Sequence, residues 1–168
     1  MGSYRALETL YREGKVRHIG ISNYTVKHLE HLLEHCEIIP HVHQFELHPR
    51  LVQQDILNLC DKHEIQIQAY SSLGEGKLLT DEAVLDIVKK EKGDTAQILL
   101  RWAIQHGWIV IPKSSSSDRV SSNANVLSLE LSEEVKLFFS SSITLADAKT
   151  FFLFIIESFT SFEFSMVN

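Results

Sequence analysis

The sequence predicts an α/β fold built on a parallel sheet. Four times along the chain, apolar residues at helical spacing are followed by a glycine or a short turn, an apolar strand and a polar strand end. Strands that alternate with helices of about three turns are typical of βα units. The chain has 168 residues, whereas a complete (β/α)8 barrel has roughly 250. We therefore expect about four βα units around the parallel sheet, too few residues for a complete barrel.

Apolar periodicity and strand-like runs define the individual elements. Gly14 is suited to end the first helix, and Thr25 is suited to cap the second. That second helix must stop before Pro40, because a proline disfavours helical geometry in the residue that precedes it. The predicted helices cover residues 3–12, 25 to before 40, 53–63, 81–91 and 95–106. The predicted strands cover residues 16–21, 42–47, 65–70 and 108–111.

The character of the sequence changes after Glu134. Residues 131–134 suggest the start of a terminal helix, but the later 151–156 segment is a run of six apolar residues. A membrane span needs about 20 such residues, so we expect no transmembrane helix. An uncharged, aromatic run is an aggregation hazard unless it is covered, for example by docking as a helix. We divide the chain into a half-barrel domain, 1–134, and a divergent hydrophobic tail, 135–168. An altered reading of the gene or a spliced tail would equally explain the divergence.

The charge balance argues against nucleic acid and membranes as partners. Lysine and arginine total 16 against 22 acidic residues, which gives a net charge of −6 and a pI near 5.8. A basic surface for nucleic acid or anionic lipid is therefore not expected. Cys36 and Cys60 form no CxxC motif, so we expect buried free thiols in a reducing compartment. Because the N-terminus also lacks a signal-peptide pattern, we expect a cytoplasmic protein.

The most informative candidate site follows the fourth predicted strand. Residues 109–123 lead from an apolar strand through Lys113 and several serines to Arg119. A lysine supplies a point charge, an arginine a bidentate fork, and hydroxyl and helix-start N–H groups supply neutral donors. This combination predicts a phosphate site beside an adenine, with Asn123 adding an amide one turn further on.

The other three predicted strands also end in polar or aromatic residues, where parallel α/β folds usually bind ligands. Ser22 and Asn23 suit a carboxamide, although taken alone a turn and a helix cap explain them better. Gln44 lies in an apolar strand, so its amide must be satisfied either internally or by a ligand. Tyr70 either offers a flat face to a planar ring or is an ordinary core aromatic. The four strand ends together predict a ligand site.

These strand ends and one helix resemble the aldo-keto reductase family. The matching segments keep the family's order and spacing and cover about residues 4–134, which is the second half of that family's barrel. The segments are GKVRHIGISNY at 14–24, QFELHP at 44–49, AYSSLG at 69–74, AQILLRW at 96–102 and IPKS at 111–114. The resemblance implies a partial TIM-type (β/α)8 barrel made of about four C-terminal units.

The resemblance also implies a cofactor and a reaction. Members of this family are NADPH-dependent oxidoreductases that reduce small-molecule carbonyls to alcohols, so NADP(H) is the expected cofactor. Ser22, Asn23 and Gln44 resemble the family's contacts to the nicotinamide carboxamide. Tyr70 resembles the residue that stacks on the nicotinamide ring.

The far end of the cofactor is implied in the same way. Ser71 and Leu73 resemble residues that line the pyrophosphate, and Asn123 resembles the adenine contact. The implied clamp for the 2'-phosphate consists of Lys113, Ser114, Ser116 and Arg119. Two positions depart from the family pattern: Ser72 replaces a usual proline, and Ser122 stands where many members have a glutamate near the adenine. The loss of that glutamate is expected to loosen the adenine end.

The sequence offers no catalytic residue. The family's catalytic Asp, Tyr, Lys and His all come from the first half of its barrel, and nothing in this sequence matches those motifs. Carbonyl reduction needs a positioned proton donor, so we expect a reductase fragment that is inactive alone. The alternatives are a non-catalytic protein that binds NADPH or a partner, and a truncated product with no settled function. The sequence specifies no substrate.

Nine histidines raise the question of a metal site. His28, His31 and His35 share one flank of a predicted helix. Zinc sites usually add carboxylate or thiolate ligands at motif spacing, and neither HExxH nor a CxxC pair occurs. We expect solvated or core histidines and no metal site.

A half-barrel also leaves surfaces uncovered. It exposes two parallel strand edges, together with the apolar strand faces that the other half of a barrel would cover. We therefore expect an isolated chain of low stability that self-associates through these edges.

Overall fold

The structure is a computed structural model that describes residues 2–140, and its centre is one parallel sheet. The strands are β1 Gly20–Ser22, β2 Val42–Glu46, β3 Gln66–Tyr70 and β4 Ile109–Val110, in the spatial order β1-β2-β3-β4. Every neighbouring pair is parallel. Parallel neighbours require crossover connections, which helices provide. The predicted α/β fold with a parallel sheet is confirmed.

Helices fill the connections between the strands. They are α1 Gly2–Arg12, α2 Val26–His35, α3 Gln54–Lys62, α4 Glu82–Val88, α5 Thr95–Gln105, α6 Ser117–Ala124 and α7 Glu133–Ser140. Two 3₁₀ helices, Gly74–Thr80 and Asn125–Ser128, follow β3 and α6. The first five α-helices correspond to the predicted ones, although α4 ends earlier than expected. Helix α6 was not among the predicted ranges, because its serine-rich sequence has no apolar stripe; the sequence indicated only helix-start N–H groups in the loop region.

Side chains cap several of these helices, among them α2 and α5. The Thr25 hydroxyl accepts a hydrogen bond from the backbone N–H of His28 at 3.4 Å and caps α2. Asp94 and Gln97 form a reciprocal capping box at α5, with distances of 2.9 and 3.0 Å. Such caps satisfy helix N–H groups that otherwise lack partners. The start of α5 is therefore well defined.

Strand β1 is shorter than the predicted strand at 16–21, because pairing begins only at Gly20 and continues to Ser22. A Cβ atom at Gly20 would lie 2.6 Å from the carbonyl oxygen of Val42. The glycine thus permits the close approach that sets the register of β1 on β2. This register places Ser22 opposite Gln44.

One face of the sheet forms the core with the helices. His43, Phe45, Ile67 and Ala69 alternate along β2 and β3 and are all buried. The three apolar members of this set join buried leucines of α2 and Trp102 of α5 in one cluster. The core therefore lies between the sheet and its helices.

The opposite face of the sheet is more polar than expected. One row across the four strands consists of Ser22, Gln44, Gln68 and Ile109. The Gln44 Nε2 donates to the Gln68 Oε1 at 2.7 Å, while Ile109 is 41% exposed. On the two central strands this face carries Gln44, Glu46, Gln66 and Gln68 beside Val42 and Tyr70, so the expectation of an apolar face is wrong there.

Helix α7 spans the predicted domain boundary at residue 134. Val135 and Phe139 are each 1% exposed and belong to the core cluster. The apolar run at 151–156 lies outside the described residues. Within residues 2–140, none of the helices is both long enough and apolar enough to cross a membrane.

Candidate functional site

A cavity of about 670 Å³ opens beside the carboxyl ends of β3 and β4. Its walls come from the loop after β3, the start of α5 and the loop that leads from β4 into α6. Six of the eleven predicted site residues line it, namely Ser71, Leu73, Lys113, Ser114, Arg119 and Asn123. Two of the four predicted strand ends, those of β3 and β4, therefore meet at this cavity together with the start of α5.

The loop between β4 and α6 supplies the basic wall of this cavity. The Arg119 Nε donates to the Ser114 hydroxyl at 3.2 Å, which holds the guanidinium next to the loop. Ser116 caps α6 by accepting a hydrogen bond from the Arg119 backbone N–H at 3.4 Å. Lys113 is exposed and projects from the same loop. A lysine, an arginine, hydroxyls and a helix N-terminus together form an arrangement that can bind a phosphate.

The loop after β3 supplies the second wall. Ser71 has a left-handed backbone with φ of 50°, and the N–H of Gly74 donates to its carbonyl oxygen at 2.7 Å. Ser72 is buried, and its hydroxyl donates to the carbonyl oxygen of Ala69 at 3.3 Å. This tight turn fixes Ser71 and Leu73 at the cavity wall. The serine that replaces the usual proline is accommodated by an internal hydrogen bond.

A third wall contains a residue that the sequence reasoning missed. Asp94, the N-cap of α5, lines the cavity and accepts a hydrogen bond from the Ser122 hydroxyl at 2.8 Å. The Gln97 side chain donates to the carbonyl oxygen of Ser122 at 3.0 Å. These bonds tie α6 to the start of α5. The Asp-x-x-Gln capping pattern was visible in the sequence, but the contact with Ser122 was not.

The remaining predicted residues lie outside this cavity. Ser116 caps α6 behind the cavity wall, whereas Ser22, Asn23, Gln44 and Tyr70 lie on or beside the uncovered face of the sheet, near the strand ends. Asn23 adopts a left-handed backbone with φ of 57°, and its N–H donates to the Gln44 carbonyl oxygen at 2.9 Å. The side-chain Nε2 of Gln44 donates to Gln68, and the side-chain Oε1 of Gln44 can still accept a hydrogen bond. The structure thus separates the predicted residues into two groups along one edge.

The histidines near the sheet have structural partners. Burial lowers the pKa of His43 to about 4, and its ring lies 3.6 Å from the Cys60 sulfur. Burial also lowers the pKa of His48, an effect that the neighbouring Glu46 carboxylate at 3.4 Å opposes. Both rings accept hydrogen bonds from backbone N–H groups. They are core histidines, as expected.

Another histidine group lies on the outer surface of α2. His31, Glu34 and His35 are exposed, and their ligand-type atoms lie within 4.8 Å of one another. Exposed groups of this kind are common on helices because residues three and four apart share a face. The absence of a metal site remains a prediction.

Comparison with known proteins gives a consistent result. The family model for the aldo/keto reductase family matches residues 3–136. The glyoxal reductase of Bacillus subtilis (strain 168) is 46% identical over 132 residues, which are 79% of this chain and 48% of that protein. A 9,11-endoperoxide prostaglandin H2 reductase of Trypanosoma cruzi (strain CL Brener) is 43% identical over 135 residues and is covered to the same 48%. The chain spans about half the length of these curated relatives.

Solved structures agree with the sequence comparison. An aldo-keto reductase from a Medee basin deep-sea metagenome library superimposes with a TM-score of 0.78 at 40% identity, with 83% of this chain and 52% of that chain covered. A variant of Gox0644 in complex with NADPH gives a TM-score of 0.79 at 33% identity, with 85% and 53% covered. The fold is therefore a partial barrel that corresponds to about half of each of these proteins.

Proposed function

Because this chain belongs to the aldo/keto reductase family, we propose that it forms the NADP(H)-binding part of an oxidoreductase that reduces small-molecule carbonyls to alcohols. The observation that carries the proposal is the cavity whose wall combines Lys113, Ser114 and Arg119. The 2'-phosphate that distinguishes NADPH from NADH carries up to two negative charges. A lysine point charge and an oriented guanidinium are suited to that group.

The other contacts extend this proposal along the edge of the sheet. Ser71 and Leu73, which line the cavity, are assigned to the pyrophosphate, and Asn123 to the adenine. Ser116 supports the phosphate clamp by capping α6.

The nicotinamide end is assigned to the second group of residues. Ser22 and Gln44 share a row on the uncovered face, and Asn23 follows Ser22 at the strand end. Tyr70 ends β3 two residues beyond Gln68 and supplies the stacking surface. The side-chain Oε1 of Gln44 suits the amide N–H of a carboxamide.

The proposal assigns no catalytic role to these residues. Hydride transfer to a carbonyl requires a proton donor within hydrogen-bond reach of the forming alkoxide. His43 and His48, beside the described sheet, are engaged in the core, and the sequence has no counterpart of the family's catalytic motifs. Catalysis would thus require groups supplied by another barrel half.

A second candidate function follows from the open sheet. Strands β1 and β4 are edges of the described sheet, and edges readily pair with another chain. The chain would then be a non-catalytic NADPH-binding or partner-binding protein. We place either form in the cytoplasm, because Cys36 and Cys60 are free thiols and such thiols persist in reducing compartments.

The phosphate clamp is tested by titrating NADPH and NADH against the intact chain and following cofactor fluorescence. We expect NADPH to bind more tightly, since charged hydrogen bonds contribute roughly 1.5–3 kcal/mol each. The preference should disappear in Arg119→Ala. It should remain in Arg17→Ala, which removes an exposed arginine before the amino end of β1.

The outcomes separate the parts of the proposal. Equal affinities of the wild-type chain for the two cofactors would refute the phosphate clamp. An absence of binding to either one would refute cofactor binding by this chain alone and would favour a partner-binding role.

A further inference from the structure

Asp94 introduces a negative charge into a cavity that otherwise suits an anion. Glu75 also lines this cavity, but its carboxylate pairs with the Lys77 ammonium at 3.2 Å. The partners of Asp94 are instead a backbone N–H and a hydroxyl, both neutral. Asp94 forms no ion pair within the described residues, so its charge repels a phosphorylated ligand in this cavity, and a hydrogen bond donated by the ligand would offset that repulsion.

The carboxylate is also held in a fixed orientation. Its Oδ1 accepts from the Gln97 backbone N–H at 2.9 Å, and its Oδ2 accepts from the Ser122 hydroxyl at 2.8 Å. Each carboxylate oxygen can accept about two hydrogen bonds, so both oxygens retain capacity. Because the Asp94 side chain is exposed to the cavity rather than buried, that capacity is available to a ligand.

The chemistry of the cofactor limits what Asp94 can receive. If the 2'-phosphate lies at Lys113 and Arg119, the adenine is attached to the adjacent carbon of the same ribose. This end of NADPH has two kinds of donor, the 6-amino group of the adenine and the 3'-hydroxyl of the ribose. The amide of Asn123, one residue after Ser122, lines the same cavity and suits a base edge.

We propose that Asp94 accepts a hydrogen bond from the adenine 6-amino group of bound NADPH, and that Ser122 is a positioning residue that orients this carboxylate. The inference rests on the proposed cofactor function and adds to it a residue that selects for adenine. It also predicts that the adenine end is not loosened in the way that Ser122 alone suggested.

The test compares NADPH with its hypoxanthine analogue, in which an oxygen replaces the 6-amino group. Asp94→Ser removes the carboxylate but keeps a side chain that can cap α5. Asp118→Ser is the matched control, because it removes an exposed carboxylate that does not line the cavity. Fluorescence titration gives both dissociation constants for each intact variant, and circular dichroism checks that each variant is folded.

Charge repulsion and the proposed hydrogen bond change the affinity for NADPH in opposite directions. Removing any nearby carboxylate should tighten binding of an anionic cofactor, so Asp118→Ser should bind NADPH equally or slightly more tightly. Asp94→Ser should instead bind NADPH about tenfold more weakly, the loss of one charged hydrogen bond. It should bind the hypoxanthine analogue at least as tightly as the wild-type chain does, because the analogue has no 6-amino donor to lose and the repulsion of the carboxylate is gone. Ser122→Ala should show a smaller loss for NADPH alone.

Three results would overturn the inference. If Asp94→Ser binds NADPH as well as or better than the wild-type chain, Asp94 makes no such contact while the proposed function stands. If it weakens both cofactors equally, Asp94 contacts the ribose hydroxyl or only supports the fold. If the wild-type chain binds neither cofactor, the proposed function fails and this inference fails with it.

Discussion

Glu8 is a carboxylate that the structure buries in spite of its charge. It is 2% exposed, and its Oε1 accepts hydrogen bonds from the backbone N–H groups of Glu37 at 2.7 Å and Ile38 at 2.9 Å. The Ile38 N–H has the largest effect and lowers the pKa of Glu8, helped by Glu37 and by nearby arginines, whereas burial acts in the opposite direction. One side chain of α1 thus closes the turn after α2.

This lowered pKa predicts a pH-dependent stability. Because the folded-state pKa lies below the ordinary value of 4.5, the ionised form stabilises the fold above that value. This contribution is lost as the pH falls through the folded-state pKa. Urea unfolding between about pH 6 and 3 should show the loss in the wild-type chain and a weaker pH dependence in Glu8→Gln. Glu8→Ala should cost about 1–3 kcal/mol at neutral pH, and parallel pH profiles for wild type and Glu8→Gln would contradict this role.

Single residues also mark how far the sequence alone could predict the site. That Lys113 and Arg119 line one cavity was predictable, because the two residues lie close together in sequence. Asp94 and Glu8 were not, because their partners lie 28 and about 30 residues away. Each forms an ordinary surface pattern in the sequence, and only the fold brings its partner into contact.

Among the helices and strands, some were predicted well from the sequence and others were not. Helices α2, α3 and α5 have clear apolar stripes and were predicted with nearly correct ends. Helix α6 has no buried residues, so apolar periodicity could not reveal it. The helix is fixed instead by its Ser116 cap and by the hydrogen bond from Ser122 to Asp94 at the start of α5. Strand β1 was predicted too long, because pairing with β2 and not residue type determines where it begins.

The β1–β2 pairing predicts a strong effect at Gly20. In Gly20→Ala, the new methyl group would lie 2.6 Å from the Val42 carbonyl oxygen, so the strands must move apart. Overpacking of this kind costs about 1–3 kcal/mol. Gly2→Ala is the control, because nothing lies within 4 Å of a Cβ there. Thermal unfolding of both variants measures the effect, and equal stabilities would show that β1 can shift on β2 without cost.

At the scale of the whole molecule, the open sheet predicts self-association. Both β1 and β4 are edges of the described sheet, and Ile109 on β4 is 41% exposed. We expect light scattering to detect dimers or larger species, and Ile109→Lys to reduce them, because an edge lysine discourages strand pairing.

A second exposed apolar residue serves as a control that distinguishes association through the strand edge from nonspecific hydrophobic association. Leu127 is 71% exposed and lies in the 3₁₀ helix after α6, away from the strands. Leu127→Lys should leave the association unchanged. A monodisperse wild-type monomer would refute the prediction, and association that neither variant reduces would place its cause outside the β4 edge.

The proposed function, which assigns cofactor contacts to this chain but no catalytic residue, predicts how the whole chain behaves as an enzyme. Purified alone, the chain should not reduce aldehydes or ketones with NADPH at a rate near that of an intact relative. A bound hydride donor without a placed acid leaves the forming alkoxide unstabilised, and each missing group of this kind costs roughly 10²–10⁴-fold. The assay follows NADPH absorbance for the chain alone and for the chain mixed with the first barrel half of a relative. Activity that returns in the mixture should weaken in Arg119→Ala, since this chain then supplies the cofactor site, whereas robust turnover by the chain alone would reveal an acid within the 168 residues, with Tyr11, Tyr24 and His48 the first to replace.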